Sequence, residues 1–343
     1  MKSISLYLGI SFLVLLSIIV LRSIAPNLFP LYFVYIVLGV LAFLVFSKID
    51  FDILSYFSKH LYVGSIIFLL IPLIIGQVTR GVIRWIPIGG VTIQPSELVR
   101  PFLLLFFANY LVSGKFNKKK IIYSLILLAI PALLILVQPS LGVTVLTVVG
   151  YLGVLIATEI DKRALLLIAL FLILIFPAFI FFLAPYQRSR VESFLFPGRD
   201  PAGAGYNSIQ SMISVGSGEF WGRGLGKGVQ TQLSFLPERQ TDFIFASVSE
   251  ELGFVGAFLM LFALFFVLFQ VQKVISNARS PEARAFVSGV FLSLFAQVLI
   301  HIGMNMGLFP ITGIPLPLVS AGGSSFVATM TALGMVLGAK RQA

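Results

Sequence analysis

The sequence contains no cysteine, which excludes a disulfide framework and any thiolate metal site and leaves the redox compartment unspecified. Charge is scarce too. Lys, Arg, Asp and Glu make up 11% of the 343 residues, against about 25% in a soluble domain, so water could not solvate a surface of this composition. The two histidines, His60 and His301, stand apart without neighbouring ligands, and each reads as a packed or interfacial ring rather than a metal ligand. No Gly-Lys-Ser or Gly-Lys-Thr occurs, and the Gly-x-Gly patterns do not sit in a strand-to-helix unit; a nucleotide site is not supported.

What is present is apolar sequence. Hydrophobic residues make up 58% of the chain, gathered into runs at about 5–21, 27–46, 61–76, 98–113, 121–137, 141–157, 164–184, 246–270, 284–305 and 323–339. Runs of this length are expected to span a membrane as helices. The fold class expected is therefore an all-α integral membrane protein of about ten transmembrane helices, a single polytopic domain over residues 1–343, with a large extracytoplasmic loop at about 185–241 between helices 7 and 8. Ser5 to Leu21 follows a lone Lys2 as a signal peptide would, but no small-residue cleavage site follows it, so it is read as a retained first helix.

The net charge of +11 fits positive-inside loops and anionic headgroups better than nucleic acid in a chain this apolar. With the N-terminus cytoplasmic, Lys48, Lys59, Lys115, Lys118, Lys119, Lys120, Lys162, Arg163, Lys273, Arg279, Arg284, Lys340 and Arg341 fall inside, against Arg22, Arg80 and Arg84 in the short outer loops. Both termini are expected in the cytoplasm.

Polar residues able to carry chemistry collect on the other side. Pro95-Ser96-Glu97 is a helix-start signal that places Glu97 and Arg100 three apart on one face, fit to hold a ligand or to pin the helix end as an ion pair. Gln138-Pro139-Ser140-Leu141-Gly142 reads either as a polar membrane-edge site or as a plain turn. The long loop carries Arg188, Arg190, Arg199, Arg223, Lys227 and Arg239 against Glu192, Asp200, Glu219 and Glu238, with glycines at 203, 205, 216, 218, 222, 224, 226 and 228. Guanidinium forks and glycine-flanked amides suit a pyrophosphate bearing a sugar, and a basic loop lying on headgroups is the plainer alternative. Asp242, before Phe-Ile-Phe, reads as a helix cap or, if partly desolvated, as a general base. Glu250 and Glu251 read as structural. Pro310, Pro315 and Pro317 forbid a regular helix and point to a re-entrant or surface-lying segment.

RWIPIGGVTIQPSEL, RDPAGAGYNSIQSMISVGSGEFWGRGLGKG, FLPERQTDFIFASVSEELG and GIPLPLVSAGGSS together resemble the shape, elongation, division and sporulation (SEDS) family over nearly the whole chain. GVQTQLSFLPERQTDFIF and NMGLFPITGIPLPLVS are more similar to its rod-shape branch than to its division branch. The resemblance implies a multi-pass protein of the bacterial cytoplasmic membrane with inverting peptidoglycan glycosyltransferase activity. Such an enzyme polymerises lipid II into β-1,4 glycan strands during cell elongation and releases undecaprenyl pyrophosphate. The family's essential acid falls on Asp242, expected to act as the general base, and its PSEL carboxylate on Glu97. Arg100, Arg188, Arg190, Arg199, Glu238 and Arg239 are the further residues expected at the substrate, with no protein metal site expected. A divalent cation, magnesium or manganese, is the cofactor the resemblance leaves room for. The partners implied are a class B penicillin-binding protein and the membrane proteins of the elongation complex. Arg100 stands where the family usually has Lys, Ser140 where it usually has Asp, and Gln240 where it usually has His. The Ser140 departure keeps a non-catalytic scaffold for a transpeptidase among the alternatives, beside a lipid II flippase and the division paralogue. Charge nearly absent from helices four to seven, with the acids clustered at one face, argues for surface chemistry over transport.

Overall fold

The computed structural model describes residues 4–75, 83–114, 117–158, 185–196 and 205–340, with positions 160, 161, 163, 166–168, 170, 174, 199 and 203 between them. The run expected at 164–184 falls largely outside the described residues, as do Arg80 and Asp200. The chain is mostly helical. In order it forms α1 (Ile4–Ile24), a 3-10 turn (Pro26–Leu28), α2 (Phe29–Lys48), α3 (Phe51–Tyr56), α4 (Ser58–Ile75), β1 (Ile86–Ile88) and β2 (Val91–Ile93). There follow α5 (Pro95–Leu98), α6 (Arg100–Val112), α7 (Lys118–Val137), α8 (Leu141–Ile156), α9 (Pro185–Leu195), α10 (Tyr206–Ser217), α11 (Val229–Gln232), α12 (Ile244–Ser276), α13 (Pro281–Asn305) and α14 (Gly323–Gly338). Among the described residues six helices are long and apolar enough to cross a membrane, and α8 and α14 are shorter apolar helices. Phe254, Phe258, Phe262 and Phe269 repeat along α12 at helical spacing and are all exposed, a stripe that hydrocarbon rather than water would cover.

The two strands depart from an all-helical reading. They pair antiparallel with Ile86 opposite Ile93, and the turn is Gly89-Gly90 with φ of 55° and 86°. Two successive residues at positive φ make the tight hairpin turn that matches strand twist, and glycine adopts them without strain.

The chain folds as two compact units. One takes in residues 34–173, 268–296 and 323–343. There α4 packs on α6, and α6 and α7 on α8. Tyr62 stacks on Phe106 with ring centroids 4.2 Å apart, and Tyr151 shares a 2.5 Å hydroxyl contact with Ser124. Small residues bring α8 and α13 together: a Cβ on Gly153 would lie 2.6 Å from the Ser288 carbonyl, and one on Gly289 2.9 Å from the Gly150 carbonyl. Such contacts are how helices associate where lipid removes the hydrophobic drive. At an end of this unit Arg279 grips Asp50 and Asp52 at 2.5 and 2.8 Å. Asp50 caps α3 by accepting from the Asp52 amide. That bond first, and Arg279 after it, hold the Asp50 carboxyl below the usual range.

The other unit takes in residues 1–33, 174–267 and 297–322. Its organising feature is a break in α12. Gly253 has φ 67° and ψ −164°, a state that any residue with a Cβ enters only under strain. A break frees amides and carbonyls, each costing about 1–3 kcal/mol if buried without a partner. The preceding loop supplies those partners. The Phe254 and Val255 amides donate to the Glu219 and Phe220 carbonyls at 2.9 and 3.2 Å, and the Arg223 and Gly224 amides donate to the Glu250 and Glu251 carbonyls at 2.9 and 3.0 Å.

The two carboxylates complete the tie. Glu250 accepts from the Gln230 and Thr231 amides at 2.8 and 3.0 Å, closing the open N-terminal end of α11. Glu251 accepts from the Gly226 amide, the Ser23 hydroxyl and the Gln232 side-chain amide at 3.0, 2.9 and 2.8 Å. Backbone approaching this closely has no room for side chains: a Cβ on Gly218 would stand 1.8 Å from the Ser249 carbonyl oxygen, and one on Gly222 2.3 Å from that of Glu251. The glycine pattern read as a phosphate cradle is thus, at Gly218 and Gly222, a cradle for the protein's own helix.

Gly253→Ala is expected to lower stability by at least about 2 kcal/mol, because its methyl would be driven to 2.2 Å from the Gly222 nitrogen. Gly64→Ala, in α4 with open space around the new atom, is expected to be neutral or to stabilise by up to about 1 kcal/mol. Thermal melts of the two variants in one detergent check the opposite signs.

Candidate active site

The segment before α12 is a turn built on Glu238. That residue has φ 48°, and its carbonyl accepts from the amides of Thr241, Asp242 and Phe243 at 3.0, 3.1 and 3.3 Å. The Glu238 carboxylate accepts from the Thr241 hydroxyl at 2.9 Å, so this expected substrate contact bonds within the turn. Below it, Leu236, Phe243, Ala246 and Ile311 form a buried apolar cluster. Asp242 therefore sits on a wound turn over an apolar floor, two residues before α12 begins.

The proline-rich segment comes to meet it. Prolines at 310, 315 and 317 keep the segment out of a helix, so its carbonyls need outside donors. The Gln297 side-chain amide donates to the Pro315 carbonyl at 2.8 Å, and the His301 Nδ1 to that of Ile314 at 2.7 Å. His301 is fully buried, a packing ring that fixes this strand of chain. Gly313 turns at φ 68°, and the place a Cβ would take on it lies 3.6 Å from Asp242 Oδ2 and 3.4 Å from Arg190 Nη1. Arg190 projects from α9 and donates to the Ile311 carbonyl at 3.3 Å. A carboxylate and a guanidinium thus both come close to the open side of the same glycine. Sequence reasoning missed Gly313; its only signal was a glycine among prolines.

The other candidate cations are engaged elsewhere. Arg239 donates to the Ile24 carbonyl at 3.1 Å and to the Ser234 hydroxyl at 2.9 Å. The Arg199 guanidinium lies over the Phe196 ring at 4.0 Å. Arg188 is exposed on α9.

Glu97 and Arg100 belong to the other unit, that of residues 34–173, and pair there at 3.4 Å, both almost fully buried. Burial pushes the Glu97 carboxyl up, while Arg100 and then Arg84 pull it down. Removing either partner of such a buried pair costs about 3–5 kcal/mol, because it strands the other charge. Just ahead of them the Gln94 side-chain amide donates to the hydroxyls of Ser96 and Ser140 at 3.1 and 3.3 Å, and its backbone amide donates to Ser324 at 2.8 Å. The Gln138 side-chain amide reaches the Leu69 carbonyl at 2.5 Å. Ser140 thus belongs to a neutral network that braces the entry to α5, where an acid would bring a charge.

Among the described residues no group of three His, Asp or Glu side chains gathers as a metal cage. A magnesium-type ion is commonly held by one or two carboxylates together with substrate phosphates, a mode that needs no such cage.

The model of a family described as cell cycle proteins, taking in FtsW, RodA and SpoVE, matches residues 3–343. The peptidoglycan glycosyltransferase MrdB of Escherichia coli is 37% identical over 310 residues, covering 88% of this chain and 82% of that protein. The probable peptidoglycan glycosyltransferase FtsW of Escherichia coli is 36% identical over 314 residues, covering 89% of this chain and 75% of that one. Among solved structures, the rod shape determining protein RodA of Thermus thermophilus aligns with a TM-score of 0.73 at 26% identity, covering 97% of this chain and 94% of its own. A chain solved in work on polymerization and crosslinking by a peptidoglycan synthase complex aligns with a TM-score of 0.82 at 29% identity, covering 97% of this chain and 95% of that one. Motifs, helical architecture and matches along almost the whole length agree: this chain belongs to the FtsW, RodA and SpoVE family of cell cycle proteins, the SEDS family.

Proposed function

We propose that this chain is a peptidoglycan glycosyltransferase that polymerises lipid II in cell elongation, with Asp242 as its general base. The observation that carries the reading is the convergence of Asp242 and Arg190 on Gly313, in a chain 37% identical to a protein named peptidoglycan glycosyltransferase. In the reaction the acceptor sugar's 4-hydroxyl gives its proton to Asp242 as its oxygen bonds to the donor's anomeric carbon. The bond from that carbon to the pyrophosphate oxygen breaks on the opposite face, inverting the centre. The leaving group departs as an anion, so a cation takes the place of the general acid that a glycosidase needs, and Arg190, whose Nη1 lies 3.4 Å from the place a Cβ would take on Gly313, is the cation assigned to it. A divalent cation, if recruited, would be held mainly by the pyrophosphate oxygens and would add charge stabilisation to the leaving group.

The same reading makes the chain one polytopic domain that crosses the membrane about ten times with both termini in the cytoplasm, which puts Asp242 and Arg190 at the outer face. The spanning helices, the shorter apolar helices and the inward bias of Lys and Arg support it. A class B penicillin-binding protein as partner is supported by the likeness to a chain of a peptidoglycan synthase complex. Glu97 and Arg100 are proposed to act at the substrate's polar head; their burial in the absence of ligand equally fits a role in bracing α5 and α6.

Two outcomes test the assignment. Asp242→Asn is expected to reduce glycan-strand formation from fluorescent lipid II at least about 100-fold while leaving the melting midpoint within a few degrees of wild type; strands at the wild-type rate would refute the base. Gly313→Ala places a methyl against both the Asp242 carboxylate and the Arg190 guanidinium at an unfavourable φ. It is expected to lower turnover about tenfold or more, measured as strand product per minute at saturating lipid II.

A further inference from the structure

The turn that carries Asp242 is held by more than its own hydrogen bonds. Three consecutive carbonyls, those of Gln240, Thr241 and Asp242, each accept a bond from residues far along the chain. The Ala321 amide donates to Gln240 at 2.9 Å, the Ser320 hydroxyl to Thr241 at 2.7 Å, and the Asn305 side-chain amide to Asp242 at 3.0 Å.

Asn305 is the hub of this set. It is fully buried at the end of α13. Its Nδ2 also donates to the His301 carbonyl at 2.8 Å, its Oδ1 accepts from the Ala246 amide at 3.1 Å, and its own carbonyl accepts from the Ser211 hydroxyl at 2.9 Å. One amide therefore joins the residue before the helix to a residue in the helix's first turn, and fixes how the chain enters α12. An amide suits this place because it donates and accepts at once and carries no charge beside a carboxylate. The carbonyl it holds and the carboxylate that converges with Arg190 belong to the same residue, so a shift of the turn moves the carboxylate with it.

We propose that Asn305 is a positioning residue for Asp242: through its amide bonds to Asp242 and Ala246 it sets the carboxylate for proton transfer. The inference rests on Asp242 acting as the base. Ser320, which donates to Thr241 and accepts from the Leu316 amide at 2.8 Å, is the weaker second member of the same hold.

The experiment is steady-state polymerisation of fluorescent lipid II by the full-length protein with a class B penicillin-binding protein, comparing wild type, Asn305→Ala, Ser320→Ala and Asp242→Asn, with melting midpoints for each. Misplacing a catalytic group should affect the chemical step more than binding. Asn305→Ala is expected to lower kcat about 10- to 50-fold with KM within about twofold of wild type, and Ser320→Ala to lower kcat about threefold with the same split. A folded Asn305→Ala with unchanged kcat, or one whose KM rises as far as its kcat falls, overturns the inference. If Asn305→Ala melts below the assay temperature, Ser320→Ala decides: a kcat loss at constant KM supports the hold, and unchanged kcat refutes it. An Asp242→Asn variant with wild-type activity removes the base itself, whatever Asn305 does.

Discussion

Backbone amides and carbonyls that lie away from water must find partners, and this fold depends on how that demand is met where its helices stop. Regular helix satisfies it internally, which is why the long apolar segments need no help from their side chains. Wherever the chain leaves the helix, a specific donor or acceptor takes over. Loop residues 219–224 serve the break at Gly253, side chains of α13 serve the proline-rich segment, and residues 305, 320 and 321 serve the turn before α12. The irregular stretches that bear Asp242 and Gly313 are ordered by the rule that makes the rest helical.

The helices were legible because hydrophobic length is a local property of sequence. The hairpin at Ile86–Ile93 was missed although Gly89-Gly90 is its turn, since three-residue strands leave no period to read. The break in α12 was hidden for another reason. Gly253 lies in a continuous apolar run, and only the loop's return to Glu250 and Glu251 shows what the glycine is for. Asp242 stood out as a lone acid at an apolar edge, whereas Asn305 and Gly313 act through contacts with distant residues that no spacing rule encodes.

Two of the places where acidic and basic side chains come together among the described residues differ in setting. Glu97 and Arg100 are sealed from solvent and hold each other, an arrangement suited to fixing where α5 meets α6. Asp242 Oδ2 and Arg190 Nη1 both come within 4 Å of the place a side chain would take on Gly313, in the irregular proline-rich segment outside the helices. Ser140 adds a neutral contact in the same unit as Glu97, its hydroxyl accepting from the Gln94 side-chain amide.

The order of the chain gives the Gly253 break a further meaning. A ribosome delivers the loop and Ser23 before it delivers α12, so the groups that complete the broken helix are waiting when it enters the bilayer. The turn bearing Asp242 has no such provision. Its three carbonyls wait for residues 305–321, which arrive only with the last stretch of synthesis. The nascent protein therefore acquires the partners of its broken helix well before it acquires those that hold the turn at Asp242, which come only with the last stretch of chain.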